Sequence, residues 1–319
     1  MLAVFELVLP LFGLIFLGYV SGRLARIPLE GLAWMNFFII YIALPALFYQ
    51  LLSTTPVEQF SNVGFIAVSI SATFLIFCLV LFIALWRSGN MAESTIQGLA
   101  AAYGNIGYLG PPLALAAFGP AAGVPVALIF CFENAMHFTL APLLMAMDAK
   151  GKQNKTEIAL QILRKIFTHP FILATIAGVL ASVFAFKPPA VIDQFLELLA
   201  RTAGPCALFV MGVTAALRPL RRLPLELSYI VPIKLVAHPL LVYVLMIWLV
   251  PEIDSLWLYS AVLLATLPTA TNVFVIAQQY GVWQERASSA VVITTLFAVL
   301  SVTGFLYLVQ SGLIAKYGI

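Results

Sequence analysis

Charge is scarce in this chain. Of 319 residues only 9% are Asp, Glu, Lys or Arg, while 63% are hydrophobic and the mean hydropathy is +1.06. A soluble domain averages about 25% charged residues, so a water-soluble fold is excluded and an integral membrane protein is left. The net charge of +3 is small and sits in the loops, which gives no basic block for nucleic acid. Cysteine is limited to Cys78, Cys131 and Cys206, each inside an apolar stretch, so no disulfide framework follows. Three scattered histidines add no metal-ligand spacing. Gly-x-Ser-x-Gly, His-Glu-x-x-His and phosphate-loop patterns are missing. The sequence therefore predicts neither an enzyme nor a bound cofactor. No basic n-region precedes the first apolar run, which begins at Leu2, so Val4–Gly22 reads as a retained span and not a cleaved signal.

What is there is a series of apolar runs about 20 residues long, bounded by charge or by Pro and Gly. They are Val4–Gly22, Leu32–Leu52, Gly64–Trp86, Thr95–Phe118, Gly123–Met147, His169–Phe186, Phe195–Leu217, Leu227–Val250, Leu256–Tyr280 and Ala287–Val309. The fourth contains GNIGYLGPP, Gly104 to Pro112. Its glycines Gly104, Gly107 and Gly110 weaken a helix, and Pro111 and Pro112 remove donors and clash with the preceding turn. The span must break at membrane depth. Open backbone is tolerated there only when buried in protein or lining a wet cavity. Such a break points to a transport site.

Basic residues orient the chain. Numbered in order, the odd loops carry twelve: Arg23, Arg26, Arg87, Lys150, Lys152, Lys155, Arg164, Lys165, Arg218, Arg221, Arg222 and Arg286. The even loops carry Lys187 alone. Lys and Arg favour the cytoplasmic side, so both termini are expected outside (periplasmic in a bacterial inner membrane). The only sizeable polar segment, Asp148 to Lys165, is expected along a membrane surface.

The two halves echo each other. Pro10 and Gly18 correspond to Pro170 and Gly178, and Pro45 to Pro205, each 160 residues on. Trp86 corresponds to Trp248 and Gly119 to Gly281, each 162 on. Five spans per half is an odd number, so the copies would insert upside down, the inverted-repeat plan of many carriers. The expected division is 1–147 for the first repeat, 148–165 for the loop and 166–319 for the second repeat. The repeat predicts a second break in the ninth span, where ATLPTATN sets Pro268 among Thr266, Thr269 and Thr271. Pro112 suits the first position of a new half-helix, and Thr271 or Asn272 suits an N-cap. Two half-helix N-termini aimed at one cavity would favour an anion, most simply a carboxylate.

GNIGYLGPPL, the proline-broken ninth span, LPALF in the second span and the duplicated ten-span plan resemble the auxin efflux carrier family over nearly the whole chain. That family includes plant auxin exporters and bacterial carriers of organic acids such as malate or malonate. The resemblance implies a fold akin to bile-acid symporters and sodium/proton antiporters. It implies a scaffold of spans 1, 2, 6 and 7 and a moving transport domain of spans 3–5 and 8–10. It also maps Asn105 and Asn272 to crossover positions that contact substrate, and it alone points to a homodimer. The short central loop resembles that of the bacterial and short-loop plant members.

The expected substrate-site set is Gly104, Asn105, Gly107, Pro111, Pro112, Pro268, Thr269, Thr271 and Asn272. The glycines and prolines are foremost shapers of the break. The two amides could alternatively serve only to cap freed backbone. Glu133, near the middle of the fifth span, is the clearest mid-span carboxylate, and His137 lies four residues on, on the same helix face. Glu133 reads either as a proton-coupling group or as half of an ion pair with Lys234 of the eighth span. His238, ahead of Pro239, is expected to bond a freed carbonyl. Arg201 is expected to snorkel to an interface, and His169 to be structural. Sodium coupling through unwound carbonyls stays open. Three function classes are compatible with these residues, ahead of a passive channel, for which the sequence offers no continuous polar stripe. They are a secondary carrier of a small organic anion, a cation/proton antiporter and a non-transporting ligand sensor. The antiporter is disfavoured because Asp148, Asp193 and Asp254 all fall in loops.

Overall fold

A computed structural model describes residues 2–25, 28–148, 155–217 and 224–314. Arg26, Lys150, Lys152, Arg218, Arg221 and Arg222 of the orientation set lie outside them. Among the described residues the regular structure is helical. Its α-helices are α1 Leu2–Ala25, α2 Ala33–Phe38, α3 Leu44–Ser53, α4 Val63–Ser88, α5 Met91–Ala102, α6 Gly110–Phe118, α7 Gly123–Asp148, α8 Lys155–Phe167, α9 Pro170–Val183, α10 Ala190–Leu217, α11 Leu227–Pro232, α12 His238–Leu249, α13 Ser255–Ala265, α14 Thr271–Tyr280 and α15 Gln284–Gln310.

Among the described residues six helical stretches are long and apolar enough to cross a membrane: Ala33–Ser53, Val57–Ser88, Pro120–Ala146, Ala190–Leu217, Leu227–Leu249 and Gln284–Gln310. Leu9–Ala25, Pro170–Val183 and Ser255–Ala265 are shorter apolar helices. The protein is thus an all-α integral membrane protein. The expected fourth and ninth spans are absent from the long set because each is cut in two. A helix of 12 residues such as α5 is about 18 Å long, against a hydrocarbon core of about 30 Å.

One compact unit comprises the described residues of Met1–Val63, Gly107–Cys131 and Thr168–Arg218. Within it α1 runs along α10, and α3 along α9. Both pairings rest on backbone contact. A Cβ at Gly18 would lie 2.1 Å from the Phe209 carbonyl oxygen, and one at Gly212 would lie 1.9 Å from that of Ile15. At Gly178 it would lie 3.1 Å from the Tyr49 oxygen. Small residues let membrane helices approach this closely, because dispersion and not water exclusion drives their association. Phe48, Phe130 and Phe171 fill the space between α3, α7 and α9, with ring centroids 4.5–5.6 Å apart. A π-helical turn, Ile39–Ala43, joins α2 to α3 just ahead of Pro45. Widening the turn accommodates the ring that would clash in a regular helix.

The second unit comprises the described residues of Gly64–Ile106, Phe132–Phe167 and Pro219–Ile319. Its core is built from Phe77, Val80, Ile96, Leu99, Tyr103, Ile230, Val273 and Ala287, all buried. α12 packs on α13, and α14 on α15. The described part of the polar central segment is the helix α8. It exposes Leu160, Leu163 and Phe167 beside its polar residues, the composition of a helix lying at a membrane interface. A second π-helical turn, Ile233–Ala237, again precedes a proline, Pro239, and carries Lys234.

Candidate functional site

The second unit holds the meeting point of two broken helices. α13 starts at a cap from the Asp254 side chain to the Leu256 N–H (2.8 Å) and stops at Ala265. Pro268 cannot donate, and it drives Leu267 away from helical backbone. α5, capped by Asn90 on the Glu93 N–H (2.9 Å), stops at Ala102, ahead of Gly104. The two opened segments pair with each other. Gly104 and Thr269 form an antiparallel bridge. The Asn105 N–H donates to the Pro268 oxygen at 2.7 Å, and the Ala270 N–H donates to the Tyr103 oxygen at 2.8 Å.

A helix end leaves carbonyls without partners, which is costly away from water. Here side chains take them up. Thr269 Oγ1 donates to the Ala100 oxygen (2.6 Å), Lys234 Nζ to that of Ala265 (3.1 Å) and Ser301 Oγ to that of Thr266 (2.9 Å). The Thr269 N–H donates to Thr294 Oγ1 at 3.0 Å. At Gly104 a Cβ would sit 3.3 Å from both Lys234 Nζ and the Leu264 oxygen. The lysine is therefore pressed directly under the bridge.

Around this bridge the fold gathers Gly104, Asn105, Pro268, Thr269 and Asn272. Asn105 and Thr269 are buried. Asn272 Nδ2 donates to the Tyr103 hydroxyl (2.9 Å), which donates in turn to Asn134 Oδ1. His137 stacks on the Tyr103 ring, with centroids 4.2 Å apart. It is fully buried, and neither of its ring nitrogens has a hydrogen-bond partner among the described residues.

Two helix starts differ from expectation. Ala270, in extended backbone, occupies the cap position of α14, so Thr271 is its first helical residue and Asn272 its second. No side chain caps that end, because the residue in the cap position is an alanine, which has no oxygen to accept. Likewise Gly110 opens α6, and Pro111 and Pro112 follow it. All three positions fall in the first turn, where no intrahelical acceptor is needed. Gly107, Pro111 and Pro112 belong to the first unit. There a Cβ on Gly107 would meet the Phe130 ring at 3.0 Å, and Pro112 lies against Gly204.

A buried charged cluster lies beside the bridge in the same unit. Glu133 Oε1 accepts from Thr73 Oγ1 (2.8 Å) and from Ser69 Oγ (3.2 Å). Thr73 Oγ1 also contacts His238 Nε2 at 3.1 Å, and His238 Nδ1 contacts Lys234 Nζ at 3.0 Å. Glu133 and Lys234 are thus joined through Thr73 and His238 and not by direct contact. His238 does not bond a freed carbonyl, because the π turn has already adjusted the backbone around Pro239. The Ser69 and Thr73 contributions escaped sequence reasoning, although Ser-x-x-x-Thr places two hydroxyls on one face of an apolar span. Tyr103, which is not among the expected site residues, also proves central. Arg201 pairs with Glu197 one turn away, and both are exposed on α10. His169 is the residue just before α9.

A pocket of about 450 Å³ opens where α4, α5, α11 and α15 converge, lined by Arg87, Gln97, Glu226, Tyr229 and Arg286 among others. Arg87 lies over the Tyr229 ring at 5.6 Å, Tyr229 donates to Gln97 Oε1, and Arg286 pairs with Glu226 at 2.7 Å. Gln97 is about two turns before Gly104 on the same chain segment.

Discontinuous membrane helices that meet through unwound backbone are a feature of many secondary transporters. Residues 3–306 match the membrane transport protein family, and the chain belongs to that family, the auxin efflux carriers. It is a transporter and not an enzyme. Among related proteins, one of Rhizobium meliloti (strain 1021) named "Putative malonate transporter" is 57% identical over 96% of each chain. The "Uncharacterized transporter YfdV" of Escherichia coli (strain K12) is 24% identical over 94% of this chain and 95% of its own. A "Lysosomal cholesterol signaling protein" of Mus musculus is 24% identical over 91% of this chain, which spans 36% of that protein.

Proposed function

We propose that this protein is a secondary carrier of a small organic anion, malonate or a similar carboxylate, working by alternating access. The observation that carries this reading is the bridge between Tyr103–Asn105 and Pro268–Ala270, with Asn105 and Asn272 at its two edges. The carboxylate sits at that crossing. There the amides, the Thr269 region and the N-terminus of α14 present donors and partial positive charge. The His137 imidazole, whose nitrogens no protein group among the described residues occupies, adds a polar contact. The name of the relative at 57% identity supports the substrate class.

The architecture is proposed as ten spans in two inverted repeats. Packing inside the first unit supports it. Exchanging the repeats turns the first-to-seventh pairing into a sixth-to-second pairing, and α1 on α10 and α9 on α3 are those two pairs. The glycines Gly18 and Gly178, 160 residues apart, each supply a close approach. We assign spans 1, 2, 6 and 7 to the scaffold and spans 3–5 and 8–10 to the transport domain. In this structure α6 is counted with the first unit. Both termini are placed outside, and the Arg87–Arg286 pocket is the cytoplasmic approach to the crossing. A ligand sensor is the second reading, favoured by the likeness to the cholesterol signaling protein.

The test is a thermal-stabilisation screen of purified protein with mono- and dicarboxylates, followed by flux in proteoliposomes. Saturable stabilisation by malonate with flux supports the carrier, and stabilisation without flux supports the sensor. Response to no carboxylate overturns both the site and the substrate class.

A further inference from the structure

We infer that Glu133, Thr73, His238 and Lys234 form a proton relay that couples transport to one proton per substrate anion; this rests on the carrier reading above.

The hydrogen-bond chain is continuous, and with Lys234 charged its donors run from Lys234 towards Glu133. Lys234 is fully buried and can only donate when charged. Its contact with His238 Nδ1 (3.0 Å) therefore makes Nδ1 the acceptor and leaves the proton on Nε2. Nε2–H then donates to Thr73 Oγ1 (3.1 Å), and the Thr73 hydroxyl donates to Glu133 Oε1 (2.8 Å). Every link can also run in reverse. When Lys234 gives up a proton, its N–H bond breaks and an Nδ1–H bond forms. The Nε2–H bond breaks and a new Thr73 O–H forms, while the old Thr73 proton passes to Glu133. The products are a neutral amine, a carboxylic acid and the other histidine tautomer. Protons and charge balance, and each group again has one donor for one acceptor.

With Lys234 protonated and Glu133 ionised the cluster is neutral. One additional proton, drawn from water in one access state, makes it +1. That charge lies under the bridge, since Lys234 Nζ sits 3.3 Å from where a Gly104 Cβ would be. An anion at the crossing and a proton in the relay therefore favour each other, and the linkage is reciprocal. Other titratable groups facing the relay are His137 from α7 and Tyr103 at the end of α5. Among the described residues α4, α13 and α15 contribute hydroxyls and backbone carbonyls to the network.

The sign follows. Protonation favours the anion, so affinity falls as pH rises, by up to about tenfold per pH unit for one linked proton. The experiment measures malonate-induced stabilisation against pH, and malonate uptake driven by an inward proton gradient in proteoliposomes. The variants are Thr73→Val, Thr73→Ser and Glu133→Gln. Thr73→Val should still be stabilised by malonate, but with a flat pH profile and no gradient-driven accumulation. Thr73→Ser should behave as wild type, and Glu133→Gln should lose the pH dependence even if Thr73→Val folds poorly. Gradient-driven uptake and pH slopes equal to wild type in both Thr73→Val and Glu133→Gln would overturn the relay and place the proton on the substrate. If the wild type shows neither stabilisation nor uptake, the carrier reading fails first, and the relay with it.

Discussion

Thr269→Val replaces a hydroxyl by a methyl of the same shape at the centre of the bridge. Thr269 is fully buried, and its hydroxyl caps the Ala100 carbonyl at 2.6 Å, one of the last of α5. The backbone N–H to Thr294 is untouched by the change. Polar contacts between membrane helices average about 0.6 kcal/mol and reach about 1.7. Leaving a buried acceptor unpaired raises the loss to about 1–3 kcal/mol. Thr269→Ser keeps the hydroxyl and loses one methyl, about 0.8 kcal/mol. Unfolding in a graded denaturing detergent should therefore order the proteins wild type, Ser variant, Val variant. Malonate transport should fall further in Thr269→Val than in Thr269→Ser, because the cap holds the end of α5 against the second break. If Thr269→Val matches wild type in stability while Thr269→Ser is weaker, the hydroxyl caps nothing of consequence and the account of how the break is sustained is wrong.

Other consequences are equally open to measurement. Lys234→Met strips the Ala265 carbonyl of its donor and leaves Glu133 buried without compensation. It should cost about 3 kcal/mol or more, and Lys234→Met combined with Glu133→Gln should be less damaged than the single change in the same unfolding assay. Gly212→Ala puts a Cβ 1.9 Å from the Ile15 oxygen, forcing α1 away from α10. A loss of about 1–3 kcal/mol is expected, whereas Gly13→Ala on α1, with open space around it, should be nearly silent. Arg87→Ala opens the pocket beside Tyr229 and should raise the apparent KM for malonate on the cytoplasmic side, with little change at saturation. A single cysteine at Ser311, in a background without Cys78, Cys131 and Cys206, should react with an impermeant thiol reagent in whole cells if the C-terminus faces out.

Much of the site was legible because it is made by residues with backbone consequences. The cluster of Gly104, Gly107, Gly110, Pro111 and Pro112, and Pro268 set among hydroxyl residues, weigh together against a continuous helix, so both interruptions could be placed from sequence alone. The constant spacing of Gly18 and Gly178 carried packing information for the same reason, since a missing Cβ has one geometric use at a helix crossing. What the sequence concealed were partners that meet only in three dimensions. Thr73 and Tyr103 look like ordinary members of apolar spans. Their roles depend on which neighbour's polar atom lies within 3 Å, and no periodicity encodes that. The helix starts were misplaced by one or two residues because N-cap preference assumes a side chain free to cap. At α14 the backbone pairs with Tyr103 instead and Asn272 turns to the tyrosine hydroxyl. The Glu133–Lys234 ion pair, one of the two readings of Glu133, is not a direct contact. The two charges belong to one cluster, yet a threonine and a histidine stand between them.

The central claim is that an organic anion is held where Tyr103–Asn105 meets Pro268–Asn272. Uptake of radiolabelled malonate into proteoliposomes containing equal amounts of wild type, Asn105→Ala and Asn272→Ala protein tests it most directly. The account expects saturable uptake by wild type and its loss in both variants, with malonate-induced stabilisation lost in parallel. Full transport by both alanine variants would place the substrate elsewhere and contradict the account.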